Sequence, residues 1–122
     1  MIQIKKEVVS EIRKVLPDIV NGYPSDWKKD VVVSYLEESN VPDVIADSSV
    51  HISSFTYKFD IWVDNGSTTE ASEKIDSVMF GKFGFTCTTN TELNENSTRR
   101  HRIMRYEANV DIYGNVYSPY SY

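Results

Sequence analysis

Asp60 and Asp64 stand two residues either side of Trp62 in the stretch Phe59-Asp60-Ile61-Trp62-Val63-Asp64. Paired carboxylates are the groups that general acid–base work or cation binding requires. The same spacing is what a solvent-facing strand with period two produces without any chemistry. Trp62 on that face reads either as an interface anchor or as a ring packed on the N-terminal helix. The second cluster is basic. Arg99, Arg100, Arg102 and Arg105 surround His101, and strand alternation sends Arg99, His101 and Arg105 one way and Arg100 and Arg102 the other. Such residues serve phosphates only with a wider basic field or stacking aromatics behind them, and otherwise form solvated strand ends or salt bridges to an acidic neighbour.

Nucleophilic and metal chemistry find little material. His51 and His101 have no Asp, Glu or His at metal-ligand spacing, so the expectation for both is a structural or surface role. Cys87 lies among threonines with no cation nearby and reads as a small buried hydrophobe. Phosphate-loop, dinucleotide, nucleophile-elbow and His-Glu-x-x-His patterns do not occur, and Gly81-Lys82-Phe83-Gly84 is too short to cradle a phosphate. The expectation is a chain without enzymatic activity, cofactor or metal.

These residues sit on 122 positions with a formal net charge of -5, enough for one domain with one modest core. The charge is uneven: residues 1–30 balance at +1, residues 31–98 at -8 and residues 99–122 at +2. An acidic body with a basic final strand suits contacts between copies as readily as a nucleic-acid partner. No apolar run approaches the ~18 residues of a membrane span. The start, Met1-Ile2-Gln3-Ile4-Lys5-Lys6-Glu7, has charges where a signal peptide would carry its apolar stretch. A single cysteine excludes an intramolecular disulfide and fits a reducing compartment.

The elements that must position the clusters follow from periodicity. Ile4, Val8, Ile12, Val15 and Leu16 recur at helical spacing over residues 2–16, and Pro17 stops the run. Residues 31–37 read as a strand, with Ser39-Asn40 and Pro42-Asp43 as a loop. From Val50 to Asp64 the residues alternate, with a parity shift that suggests a bulge at Ser53-Ser54. Ser67-Thr68-Thr69-Glu70 spells a capping box with Ser67 as N-cap. The helix that follows carries Ala71, Ile75, Val78, Met79 and Phe83 on one side, with Gly81 and Gly84 as terminators. Two further strands are expected over 85–93 and 99–112, the last with Met104, Tyr106, Ala108, Val110 and Ile112 on its apolar face. The order α-β-β-α-β-β predicts an α+β domain over residues 1–112, an antiparallel sheet with two helices on one face. Residues 113–122, with Tyr113, Tyr117, Tyr120 and Tyr122, are expected to be an extended or disordered tail.

This layout is similar to one family, the tail terminator (tail-completion) proteins of long-tailed bacteriophages. The likeness rests on the order of elements and three stretches. They are Phe55-Thr56-Tyr57-Lys58-Phe59-Asp60-Ile61-Trp62-Val63-Asp64, Phe83-Gly84-Phe85-Thr86-Cys87 and His101-Arg102-Ile103-Met104-Arg105-Tyr106-Glu107-Ala108. It covers about residues 1–112 and implies a structural virion protein made in the host cytoplasm. Such a protein forms a homo-oligomeric ring, usually hexameric, that caps the tail tube and joins it to the head connector. DNA would slide through the lumen without specific binding, and no membrane is involved. The partners so implied are a tail-tube protein and a head-connector protein, and no catalytic residue is carried over. The candidate interface residues are Asp60, Trp62, Asp64, Arg99, Arg100, Arg102 and Arg105. Another head–tail connector or head-closure subunit is the neighbouring reading. A small nucleic-acid-binding regulator using the strand from Arg99 to Arg105 is the alternative of a different class.

Overall fold

The computed structural model describes residues 2–46, 49–96 and 98–119. In chain order the elements are helix α1 (Lys5–Val15), strands β1 (Val20–Asn21), β2 (Val31–Ala46) and β3 (Ser49–Asp64), helix α2 (Thr69–Met79), and strands β4 (Thr86–Asn94), β5 (Arg99–Asp111) and β6 (Val116–Tyr117). Among the described residues the fold is α+β, with two helices and one six-stranded sheet ordered β1-β2-β3-β5-β4, β6 pairing with β5. No helix among the described residues is long and apolar enough to cross a membrane.

The expected purely antiparallel sheet is corrected here. The sheet is mixed, because β1 runs parallel to β2 through Val20↔Ser34 and Asn21↔Tyr35. Two two-residue strands, β1 and β6, also enter the order. Parallel neighbours need a crossover. Residues 22–30 supply it, passing over one sheet face and bringing Trp27 onto Trp62.

Alternation in β3 decides which side of the sheet is dry. Phe55, Tyr57, Phe59, Ile61 and Val63 point to one face and join Val33 and Tyr35 of β2 and Met104, Tyr106, Ala108 and Val110 of β5. Both helices add to this cluster, α1 through Val8 and Ile12 and α2 through Ala71, Ile75, Val78 and Met79. Ile4, Val15, Leu16 and Phe83 pack at its margin, so both helical stripes read from spacing are the buried ones. Ile112 is the exception, since it lies past the end of β5 and is exposed.

β2 does not stop where the loop was expected. It continues as a hairpin arm with β3, and the predicted breakers Ser39-Asn40 and Pro42-Asp43 are strand residues. Glu38 and Asp43 are skipped in the register, so the polar run is absorbed by bulges. The parity shift in β3 is also resolved differently. Pairing with β5 is unbroken from Ile52 to Asp64, Ser53 is buried on the core face, and the skipped residue is His51.

The capping box is shifted by one residue. Thr68, not Ser67, is the N-cap of α2, and it is buried with its hydroxyl committed to other side chains. Ser67 Oγ instead accepts from Thr69 N at 3.1 Å. The helix ends in a turn in which Gly84 takes φ 74°, letting Phe85 N–H reach Met79 O at 2.8 Å and sending Phe85 into the core. At the other end of the chain, β6 returns to Asn109 and Val110 of β5, so residues 116–117 are sheet. Asp111 directs that return: its carboxylate accepts from the backbone of Tyr113 and Asn115 and from the Tyr117 hydroxyl. Tyr120 and Tyr122 lie outside the described residues.

Candidate functional site

The candidate residues occupy both faces of the sheet near the Asp64 end of β3. On the face away from the core, Trp62 faces Val32 of β2 and His101 of β5 across the ladders. It is only 7% exposed, so it is not an open anchor. Nor does it touch α1. Its cover comes from the β1–β2 connection: the Trp27 ring stands edge-on at 4.9 Å and the Tyr23 ring at 6.3 Å. His101 stacks on its other side, 4.5 Å between centroids and 17° from parallel. Tyr23 is the wet part of this group at 80% exposure.

His101 is the residue the local pattern missed. Its Nε2 lies 2.8 Å from Asp60 Oδ1 and its Nδ1 lies 3.1 Å from Glu95 Oε1. Neither partner is near it in metal-ligand spacing: Asp60 comes from β3 by cross-strand pairing and Glu95 from the turn before β5. Glu95 also pairs with Arg99 Nε at 3.6 Å, and the Arg99 guanidinium sits 4.6 Å above the Trp27 ring. A cation over an indole face is attracted by the ring quadrupole. Two tryptophans separated by 35 positions carry no short-range signal, which is why Trp27 is absent from any motif.

Asp60 and Asp64 do not cooperate. They share a strand face four residues apart, roughly 13 Å at about 3.3 Å per residue. That exceeds the roughly 5–9.5 Å at which paired carboxyl groups flank a glycosidic bond. Asp60 is instead engaged by His101 and by Lys58 at 3.6 Å. Asp64 lies opposite Arg99 in register, and its N–H donates to Asp30 O. Among the described residues no group of three or more His, Cys, Asp or Glu is placed to hold a metal ion.

The arginines divide as alternation requires. Arg105 joins His101 on the outer face and grips Glu38 with two donors, Nε at 3.0 Å and Nη2 at 3.4 Å, which holds its pKa above the ordinary guanidinium value. Arg102 points to the core side. Its Nε donates to Thr68 Oγ1 at 2.8 Å and its Nη1 to Asn90 Oδ1 at 2.7 Å, while Thr68 donates to Glu92 at 2.6 Å. Arg100 is exposed beside Asn65, Ser67 and Thr98, and no partner to its guanidinium lies among the described residues. Three of the four arginines are thus neutralised by this chain's own side chains, and the four form no single basic track.

Cys87 corrects a further expectation. It lies on β4, the outermost full strand, and is exposed rather than buried. Partial desolvation of its thiol raises its pKa, so it is held as a thiol. Beside it a shallow groove runs between α2 and β4, with Glu73 and Asp76 on one wall and Met104 and Tyr106 as floor.

No family model matches the chain, and no curated protein matches it in sequence.

Proposed function

We propose that this protein is the ring-forming terminator of a phage tail tube, a structural subunit whose work is assembly. The observation that carries the reading is that the sheet offers two open and unlike edges. Among the described residues β4 has no strand on its outer side from Thr86 to Asn94, and β2 loses β1 after Tyr35, so its edge is open along the hairpin arm. An open edge accepts a strand through main-chain hydrogen bonds. Contact between two different edges is heterologous, and a heterologous contact closes into a ring when the rotation per subunit allows it.

Composition supports a controlled rather than indiscriminate contact. β4 is threonine-rich, and its one charged residue, Glu92, is turned to Thr68 and Arg102. The β2 edge carries Glu37, Glu38 and Pro42 with skipped residues at Glu38 and Asp43, features that blunt self-pairing. The ring would stop tube growth by offering tube subunits a surface that they cannot extend. An acidic subunit around a lumen would let DNA pass without sticking.

The test is the mass of the purified protein by light scattering, alone and mixed with tail-tube subunits. A closed oligomer in either condition, lost on Thr91→Pro at the β4 edge, is the expected result. A strict monomer in both overturns the reading.

A further inference from the structure

Five contacts close a circuit at one end of the outer sheet face. His101 Nδ1 meets Glu95 at 3.1 Å, and Glu95 meets Arg99 at 3.6 Å. Arg99 covers Trp27 at 4.6 Å, Trp27 stands on Trp62 at 4.9 Å, and Trp62 stacks on His101 at 4.5 Å. Asp60 anchors the circuit from β3 through His101 Nε2 at 2.8 Å. The contacts tie together three pieces of chain that are far apart in sequence: the β1–β2 connection, β3 and the turn that leads from β4 into β5.

The chemistry of imidazole decides when the circuit is closed. Asp60 is hydrogen-bonded at Nε2 and Glu95 faces Nδ1 as an ion pair, and the two contacts are favourable together only when the ring carries an N–H on each nitrogen. Only the imidazolium form does. A neutral ring turns one lone pair on a carboxylate oxygen, and that contact becomes repulsive. The two carboxylates are not equally free to leave. Asp60 stands on a strand paired on both sides, its side chain 14% exposed, whereas Glu95 sits on the turn with its side chain 41% exposed. The neutral ring therefore keeps its proton on Nε2 for Asp60 and releases Glu95 to water.

We infer that His101 is a proton-operated latch, fastening the β4–β5 turn to the Trp27 loop when charged and freeing the turn when neutral. Further groups surround the ring. From β3 come Asp60, Lys58 at 3.6 Å from it, and Asp64 further along the strand; from β5 come Arg99 beside Glu95 and Arg105, the latter occupied by Glu38. β4 contributes Leu93 opposite His101, which is uncharged, and the β1–β2 connection contributes the Trp27 and Tyr23 rings. The latch holds at low pH and lets go as pH rises, because the charged ring is the form with both partners. It is independent of ring assembly.

The experiment follows the full-length chain by NMR from about pH 5 to about pH 9, a span that includes the range of about pH 5 to about pH 8 in which imidazole changes charge. The His101 ring nitrogens report protonation and tautomer, and amide exchange at Asn94, Glu95, Asn96 and Thr98 reports the turn. The expected result is two ring N–H groups in acid, an Nε2–H tautomer in base, and loss of amide protection at the turn as the ring loses its proton. His101→Asn should abolish the step at the turn, and His51→Asn should leave it intact. Glu95→Gln lies on an exposed turn and leaves the core untouched, so it serves even where His101→Asn fails to fold. In it the ring still titrates while the turn loses its pH dependence. The latch is overturned by a ring that titrates without change at the turn, by a step that survives His101→Asn, or by an Nδ1–H tautomer in base.

Discussion

Lys82 reaches Glu11 at 2.6 Å across 71 positions of chain, tying the turn after α2 to α1. Lys14 holds the other carboxylate oxygen at 2.8 Å. The hydrogen bond from Lys14, then that from Lys82, lowers the Glu11 pKa from 4.5 to about 2. A carboxylate depressed in the fold stabilises it above the unfolded value and loses that contribution as pH falls through the folded one. Glu11→Gln should therefore lower the urea midpoint at neutral pH, and its gap to wild type should close between about pH 4.5 and about pH 2. The pair is exposed, so added salt should shrink the same gap. A gap independent of both pH and salt would assign the effect to packing instead.

Tyr57 and Tyr106 should stay protonated in alkali for as long as the fold holds. Burial is the first cause for each, and the second is a carboxylate accepting the phenolic hydrogen, Glu37 for Tyr57 and Asp76 for Tyr106 at 2.8 Å. Both causes push the pKa well above the usual phenol value of 10.0. In an alkaline titration followed by phenolate absorbance, Tyr57 and Tyr106 should ionise only as the fold is lost. Tyr106→Phe keeps the ring and deletes the bond, so it should cost about 1 kcal/mol, and one late tyrosine should vanish from the titration.

The elements that could be read along the chain were those whose cause is local. The Val8 and Ile12 stripe, the Ala71, Ile75, Val78 and Met79 stripe and the odd-numbered face of β3 each come from spacing alone, and each is buried as spacing requires. What depended on register was not legible. Pro42 and Ser39-Asn40 look like a loop until β3 is present to pair with them, and a two-residue parallel strand at Val20 has no pattern of its own. His101 met the same limit, since its two carboxylates arrive through a cross-strand pairing and a turn. Alternation gives the face of Trp62, but its burial comes from Trp27, whose position depends on how residues 22–30 cross the sheet. Spacing makes Thr68 an interior member of a capping box, because the competing demand on its hydroxyl comes from Glu92 and Arg102.

That hydroxyl supports the third prediction. Thr68 Oγ1 donates to Glu92 and accepts from Arg102 in a buried position. Thr68→Val preserves the shape and removes both bonds, leaving a guanidinium N–H and a carboxylate oxygen facing methyl groups. The expected loss is about 1–3 kcal/mol in urea unfolding, the range for stranding partly buried polar partners. Thr68→Ser keeps the hydroxyl and should recover most of it. A loss for serine with none for valine would mean that the threonine methyl, not its oxygen, is what matters.

Gly81 and Gly84 flank the same turn and should fail for different reasons. At Gly84 the backbone has φ 74° and nothing lies within 4 Å of an added Cβ, so Gly84→Ala meets only the conformational penalty of the left-handed region. That penalty is about 1–2 kcal/mol. At Gly81 φ is ordinary, but a Cβ would collide with the carbonyl oxygen of Ser77, which is backbone and cannot swing aside. Gly81→Ala must therefore move the end of α2, with overpacking costs of about 1–3 kcal/mol and displacement of the Phe85 anchor that follows. Asparagine separates the two cases, because it enters left-handed backbone more readily than alanine but still carries a Cβ. Gly84→Asn should regain stability relative to Gly84→Ala, whereas Gly81→Asn should be no better than Gly81→Ala. Rescue at both positions in urea unfolding would show that the Ser77 contact yields easily and that φ alone governs the turn.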